Sequence, residues 1–168
     1  MAFHSDLRGN NDVYVINADG SGMRRISDHP GEDFDPEWMP DGRLLFASDR
    51  DGDENIWMMD LETGALRQLT RYDGGRTGGP TPAADGQRIG TDPRSMAPHG
   101  DDVRTLGSTD GDNQDPQFSQ DGSRLVWVTD RHGNWEIYEA DVEGGNEQRV
   151  SHTPQDLRHP DLFLPSAR

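Results

Sequence analysis

Two stretches decide the fold: "DPEWMPDGRLLFASDRDGDENIWMMDLETGALRQLT" from Asp35 to Thr70, and "DPQFSQDGSRLVWVTDRHGNWEIYEADVEGGNEQRVS" from Asp115 to Ser151. Each runs in the same order: Asp-Pro, a short aromatic-bearing segment, Asp-Gly, then three strand-like runs. In the first stretch these runs are "RLLFASD", "NIWMMD" and "LRQLT"; in the second they are "SRLVWVTD", "EIYEAD" and "EQRVS". Asp-Gly between two β-prone runs predicts a hairpin, because both residues tolerate the positive φ of a tight primed turn. Each stretch therefore reads as four short antiparallel strands.

Working outward, two further Xaa-Pro segments take up the pattern, "GPTPAADG" at Gly79 and "HPDLFLPS" at His159. Pro36, Pro80, Pro116 and Pro160 lie 44, 36 and 44 residues apart. A fixed period of this size is the mark of a repeat architecture. The N-terminal runs "MAFHSD", "DVYVINA" and "MRRIS" match the second, third and fourth strands of a unit, and "HPDLFLP" matches a first strand. Counting from Pro160 through the C-terminus and on from Met1 to Pro36 again gives 44 residues. The expected units are 160–168 plus 1–30, 31–74, 75–110 and 111–155, with the split unit closing a ring and leaving no open sheet edge. The third unit is about eight residues short between Ile89 and Gly100, and Pro93 and Pro98 there cannot donate to a strand ladder. Its middle strands should be truncated.

At 168 residues and without cysteine, the chain can build a core but has no disulfide, thiolate or Cys-zinc chemistry. Net charge is −16, and all sixteen basic residues are Arg. Such a field disfavours nucleic acid and anionic lipid surfaces. An acidic, Lys-free surface fits a salty cytoplasm, and equally a GC-rich genome with a need for solubility. No apolar run approaches the roughly 20 residues of a membrane span, and "MAFHSDLRGN" lacks the basic-then-apolar order of a signal peptide. A soluble chain is expected. Despite the low hydrophobicity, the aromatics fall in short regular clusters, as in an all-β protein rich in turns.

The linked motifs resemble the TolB-type propeller repeat, also called the WD40-like or PD40 repeat. Two units carry it closely, "FHSDLRGNNDVYVINADGSGMRRIS" carries it well, and the third departs from it between Thr91 and Pro98. The resemblance implies an all-β propeller of about four four-stranded antiparallel blades, one closed by both termini and one truncated. It also implies a periplasmic or extracellular location. Propellers with this repeat include TolB subunits, peptidase-associated propellers and carbohydrate-active enzymes, and one fold hosts many functions. Three readings follow. The first is a non-enzymatic module presenting acidic loops to a protein or peptide, preferably a basic one. The second is a hydrolytic or carbohydrate-active propeller with a metal in its channel. The third is a half-propeller that assembles as a homodimer.

For the first reading, the connections entering the innermost strands supply the binding residues: Asp33, Asp35, Asp73, Arg76, Asp112 and Asp115, with Trp135 as an exposed aromatic in "RHGNWEIY". No cofactor is required. Calcium is the one candidate ion, at Asp49, Asp51 and Asp53 in "SDRDGDEN". An EF-hand loop needs Gly at position 6 and Glu at position 12, where this sequence has Glu54 and Asp60. The parallel connections "SDLRGNND" and "TDRHGNWE" keep only the first Asp and the Gly, which points to turn chemistry. Six scattered histidines show no metalloprotease or deaminase spacing, although His29, His152 and His159 lead toward innermost strands. "DGGRTGGP" lacks the Lys-Ser/Thr of a phosphate loop, and no Gly-x-Ser-x-Gly elbow occurs. Trp38, Trp57 and Trp127 are expected to fill the space between sheets.

Overall fold

The computed structural model describes residues 1–72, 78–91 and 93–160. Among them every regular element is a strand. The chain divides into two compact units, Met1–Pro80 and Thr81–Arg168.

The first unit opens with a three-stranded sheet in the order β1 (Ala2–Ser5), β2 (Asp12–Val15), β3 (Arg24–Arg25). A four-stranded sheet follows: β4 (Asp33–Trp38), β5 (Leu44–Ser48), β6 (Asn55–Met59), β7 (Leu66–Gln68). The second unit holds a short sheet of β8 (Thr81–Pro82), β9 (Ile89–Thr91), β10 (Arg94–Met96) and β11 (Arg104–Thr105). Beside it lies a full sheet of β12 (Asn113–Phe118), β13 (Arg124–Thr129), β14 (Glu136–Asp141) and β15 (Gln148–Arg149). Each strand pairs antiparallel with its sequence neighbour. These are the blades of a β-propeller, including the truncated one that the prolines predict. The strand expected after His159–Pro160, and with it the closure of the split unit, lies outside the described residues.

Each unit buries its core between its two sheets. In the first, Val13, Val15, Leu44 and Phe46 form the centre, flanked by Trp57 and Met59. In the second, Leu106, Leu125, Trp127, Tyr138, Ala140 and Val142 do so, with Phe118 against them. Three sheets carry an aromatic pair at the same cross-strand register: Phe3↔Tyr14, Phe46↔Trp57 and Trp127↔Tyr138. In the short sheet that register holds Thr91↔Arg94. Trp127 is fully buried, and burying a side chain of that size contributes upward of about 2 kcal/mol. Trp57 is half-buried against the core, as expected. Trp38 is not a core residue; it is 39% exposed. Trp38 is the last residue of β4, opposite Leu44 at the rim of the sheet beside the turn, and its ring is left partly at the surface.

The Asp-Gly turns also depart from the primed geometry. Only the glycines Gly42, Gly86 and Gly122 take positive φ, while Asp41, Asp85 and Asp121 do not. The Asp carboxylate instead accepts the backbone N–H two residues on, from Arg43, Gln87 and Ser123 respectively. That Asx-turn replaces the second left-handed residue that a primed turn would need. Asp121, also bonded by the Ser119 and Ser123 hydroxyls, is lowered to about 2.

In two of the sheets the Arg of the outer strand has an equally local reason. Arg25 reaches Asp12 at 2.7 Å and Arg149 reaches Glu136 at 2.6 Å, and both carboxylates are essentially buried. Beside them Ser27, Thr70 and Ser151 each accept a buried amide from the neighbouring strand, donated by Val13, Ile56 and Ile137 at 2.8–2.9 Å. The Arg-x-Leu/Val-Ser/Thr signature is thus a device for holding the outermost strand. It satisfies polar groups that would otherwise cost about 1–3 kcal/mol each.

Candidate functional site

The Asp-Pro steps are where the backbone is least ordinary. Asp35 and Asp115 have φ of 50° and 55°, and His159, before Pro160, has 52°. Positive φ is uncommon outside glycine, and a following proline narrows the choice further. The same two Asp-Pro steps carry β-bulges, with register shifts between Phe34 and Glu37 and between Gln114 and Gln117. A bulge re-aims side chains and often marks a working surface.

In the first unit the bulge faces β1. The Asp35 N–H donates to His4 Nδ1 at 3.2 Å, and that nitrogen lies 3.9 Å from the Asp35 carboxylate. Here a cavity of about 350 Å³ is lined by His4, Asn11, Glu32, Phe34 and Asp35. Phe34 and Asp35 are adjacent in sequence and would point to opposite faces of a regular strand; the bulge lets both line one cavity. Glu32 is held firmly: its Oε2 accepts the N–H and Nδ2 of Asn11 at 2.9 and 2.8 Å, and its own N–H donates to Asp49 Oδ1 at 2.7 Å. Nearby Glu37 is raised above the ordinary carboxylate value, first by loss of hydration and then by the Asp35 charge.

The second unit repeats the bulge with other partners. The His159 N–H donates to Asp115 Oδ2 at 3.1 Å, with His159 Nδ1 3.2 Å from the same oxygen. Arg158 donates to Gln114 Oε1 at 3.0 Å, and its guanidinium lies 3.6 Å from the centroid of the Trp135 ring. The backbone register matches the first unit: Asp33 N–H bonds the Asn11 carbonyl at 2.8 Å, and Leu157 N–H bonds the Trp135 carbonyl at 3.0 Å. Trp135 is thus the counterpart of Asn11, and Arg158 that of Phe34.

Of the residues singled out in the sequence, Asp35 and Asp115 stand at the bulges, with side chains 50% and 26% exposed. Asp112 is exposed, its N–H bonded to Asp130 Oδ1 at 2.8 Å. Asp33 offers no exposed carboxylate: it is fully buried and bonded by Arg50 at 2.7 Å. Arg50 itself lies 5.2 and 5.0 Å from the Phe46 and Trp57 ring centroids. Trp135 is half-buried beneath Arg158 rather than openly exposed. Asp73 and Arg76 lie outside the described residues. His29 Nδ1 accepts the Gly31 N–H at 3.0 Å, a local turn contact.

The acidic loop divides its carboxylates among separate tasks. Asp49 Oδ1 is committed to the Glu32 amide, which ties the loop to the entry of the inner strand. Asp51 accepts from Asn55 and Gln68. Asp53 accepts through its backbone carbonyl from Asn55. Among the described residues no three His, Asp or Glu side chains gather as a metal ion would require. Asp49 and Asp51 thus hold the turn through their carboxylates, and Asp53 through its backbone carbonyl. His4, Asn11, Glu32 and Phe34 were not singled out in the sequence; the signal available for them is their position beside the Xaa-Pro step of the repeat.

Repeated four-stranded antiparallel blades opening on a bulged Xaa-Pro step define a propeller of the repeat class. The chain belongs to the TolB beta propeller domain family (PD40), which matches residues 1–95. It is 27% identical over 131 residues to the Tol-Pal system protein TolB of Helicobacter hepaticus, covering 70% of this chain and 31% of that protein. The chain thus spans about a third of that relative's length. Among solved structures it is similar to TolB from Acinetobacter baumannii, with a TM-score of 0.76 and 18% identity, covering 96% of this chain and 43% of that one. An oligogalacturonate lyase in complex with manganese is also similar, with a TM-score of 0.59 and 24% identity over 81% of this chain and 42% of that one. These two likenesses are of fold. No helix among the described residues is long and apolar enough to cross a membrane.

Proposed function

We propose that this chain is a non-enzymatic binding module that presents its bulged acidic loops to a basic segment of a protein partner. One observation carries the reading. In both units a sheet opens on an Asp held at positive φ before proline, its side chain 50% exposed at Asp35 and 26% exposed at Asp115, where His159 meets it. Backbone strain of this kind persists where surrounding structure over-determines it, and it gathers at ligand-binding positions. The relative from Helicobacter hepaticus is named as part of a protein system, the Tol-Pal system, which supports a protein partner. A net charge of −16 draws in a cationic segment and speeds its encounter. The same charge opposes pairing of two identical copies, so a different protein is the expected occupant.

The test uses fluorescence anisotropy with a labelled arginine-rich peptide and its glutamate-substituted counterpart. A variant with Asp35, Asp112 and Asp115 all changed to Asn should bind the basic peptide more weakly and with a shallower salt dependence. A control variant changes three other exposed carboxylates, Asp28→Asn, Glu62→Gln and Asp101→Asn, and carries the same net charge. Equal losses in both variants would reduce the effect to bulk charge and overturn the proposal.

A further inference from the structure

We propose that the cavity between β1 and the Asp35 bulge is a receptor for a single arginine side chain of the partner. This inference rests on the binding reading above and gives it a specific site.

The argument begins with what recurs. Arg50 lies over Phe46 and Trp57 and bonds Asp33. Arg131 lies 4.1 Å from the Tyr138 ring centroid and pairs with Glu147 at 2.8 Å. Arg158 lies over Trp135 and bonds Gln114. In these places the repeat brings together an aromatic face, a guanidinium and an oxygen acceptor.

Among the described residues that line it, the cavity in the first unit has the aromatic face and the acceptors but no guanidinium. Phe34 supplies a ring, and Asp35 and Glu32 supply carboxylates. Glu32 gives only its Oε2 to Asn11; Oε1 accepts no hydrogen bond among the described residues. In the matching register of the second unit the chain's own Arg158 covers the aromatic, with Trp135 in place of Asn11. The roles have exchanged sides: where the second unit carries its own cation, the first presents Phe34 and leaves room of about 350 Å³. A planar guanidinium can lie on the ring while its fork reaches a carboxylate, a geometry that the compact ammonium of lysine does not share.

The test is an amide-resolved NMR titration of the 168-residue chain with Nα-acetyl-arginine amide and, as neutral isostere, Nα-acetyl-citrulline amide. The arginine derivative should move the backbone signals of His4, Asn11, Glu32, Phe34 and Asp35, and the citrulline derivative should not. Changing Glu32→Gln and Asp35→Asn together should weaken the arginine derivative by roughly tenfold. Phe34→Ala should weaken it by roughly threefold. If Phe34→Ala does not fold, Phe34→Leu keeps the apolar volume while removing the π face. Equal shifts with citrulline, or arginine shifts that leave these five amides unmoved, would overturn the proposal. A silent cavity in a chain whose basic-peptide binding still depends on Asp35, Asp112 and Asp115 would sink this inference alone. A silent cavity together with charge-independent peptide binding would sink both.

Discussion

Gly90 offers a quantitative test of the blade packing that carries the site. It lies in β9 at the register where the full blades have Leu45 and Val126, and a large residue there would have no room. A Cβ at Gly90 would sit 2.7 Å from Leu125 Cδ1, 2.8 Å from Thr81 Cγ2 and 3.2 Å from Phe118 Cε2. Leu125 is completely buried, so its methyl cannot swing into solvent, and β9 or β13 must shift instead. Overpacking of this kind costs about 1–3 kcal/mol. For a chain of this length each kcal/mol lowers the melting midpoint by about 2–4 °C, so Gly90→Ala should melt roughly 2–12 °C lower. Calorimetry or circular dichroism at 218 nm would read it. The sharper readout is the double variant with Leu125→Ala, which removes the clashing methyl. Its loss should be smaller than the sum of the two single losses by more than the roughly 0.5 kcal/mol expected of independent sites. A single variant as stable as the parent, or a double variant that is simply additive, would refute the close approach of the truncated sheet to its neighbour.

Arg50→Met strands the buried Asp33 carboxylate and should cost about 3–5 kcal/mol by urea denaturation, with Asp33→Asn in the same chain restoring most of it; an equal loss in the double variant would show that stacking on Phe46 and Trp57 is the main contribution. Glu136 is lowered from its ordinary 4.5 to about 2, chiefly by the Ser151 hydroxyl and further by Arg149 and the Thr153 amide, which together outweigh burial. A depressed folded-state value means that its stabilisation is complete above 4.5 and is lost as pH falls through about 2. Glu136→Gln should therefore be less stable at neutral pH yet lose less on acidification across that window, as followed by tryptophan fluorescence. Millimolar calcium should leave the melting midpoint unchanged, whereas an ion held at 100 times its Kd would add about 2.7 kcal/mol and would restore Asp49, Asp51 and Asp53 as ligands.

The fold was legible because its signals are local. Alternating apolar runs, Asp-Gly steps and a proline every 36 or 44 residues act within a few positions of themselves. Pro93 and Pro98 located the truncated strands for the same reason. The misread details are those where two segments act on one another. Trp38 reads as an inward aromatic, yet as the last residue of β4, opposite Leu44, it lies at the rim of the sheet and stays 39% exposed. Asp33 reads as an acidic loop residue until Arg50, seventeen positions later, folds over it. The site was half legible. Asp35 and Asp115 stand out through their prolines, but His4 and Asn11 join Asp35 only because antiparallel pairing of β1 with β2 sets them beside the bulge, where Glu32 bonds Asn11. Phe34 joins them because the bulge defeats the alternation by which a sequence is read.

The composition also gains a physical reading. An all-Arg cationic set looks like genome bias until the guanidiniums of the blades are followed to their partners. Arg50 reaches Asp33, Ser48 and two rings; Arg88 reaches Asp102 and Ser95; Arg124 reaches Glu139 and Asp141. A lysine, with one compact charge, would meet at most part of each set. Because these forks neutralise carboxylates inside and along the blades, the buried acids Asp12, Asp33 and Glu136 add little to the outward field. The excess negative charge is left on the loops, including those at the bulges. Structural pairing and the acidic surface are two outcomes of one allocation of Arg: every guanidinium spent on a blade is one not spent on shielding Asp35, Asp112 or Asp115. The loops that a basic partner would meet are thereby those whose charge the fold does not cancel.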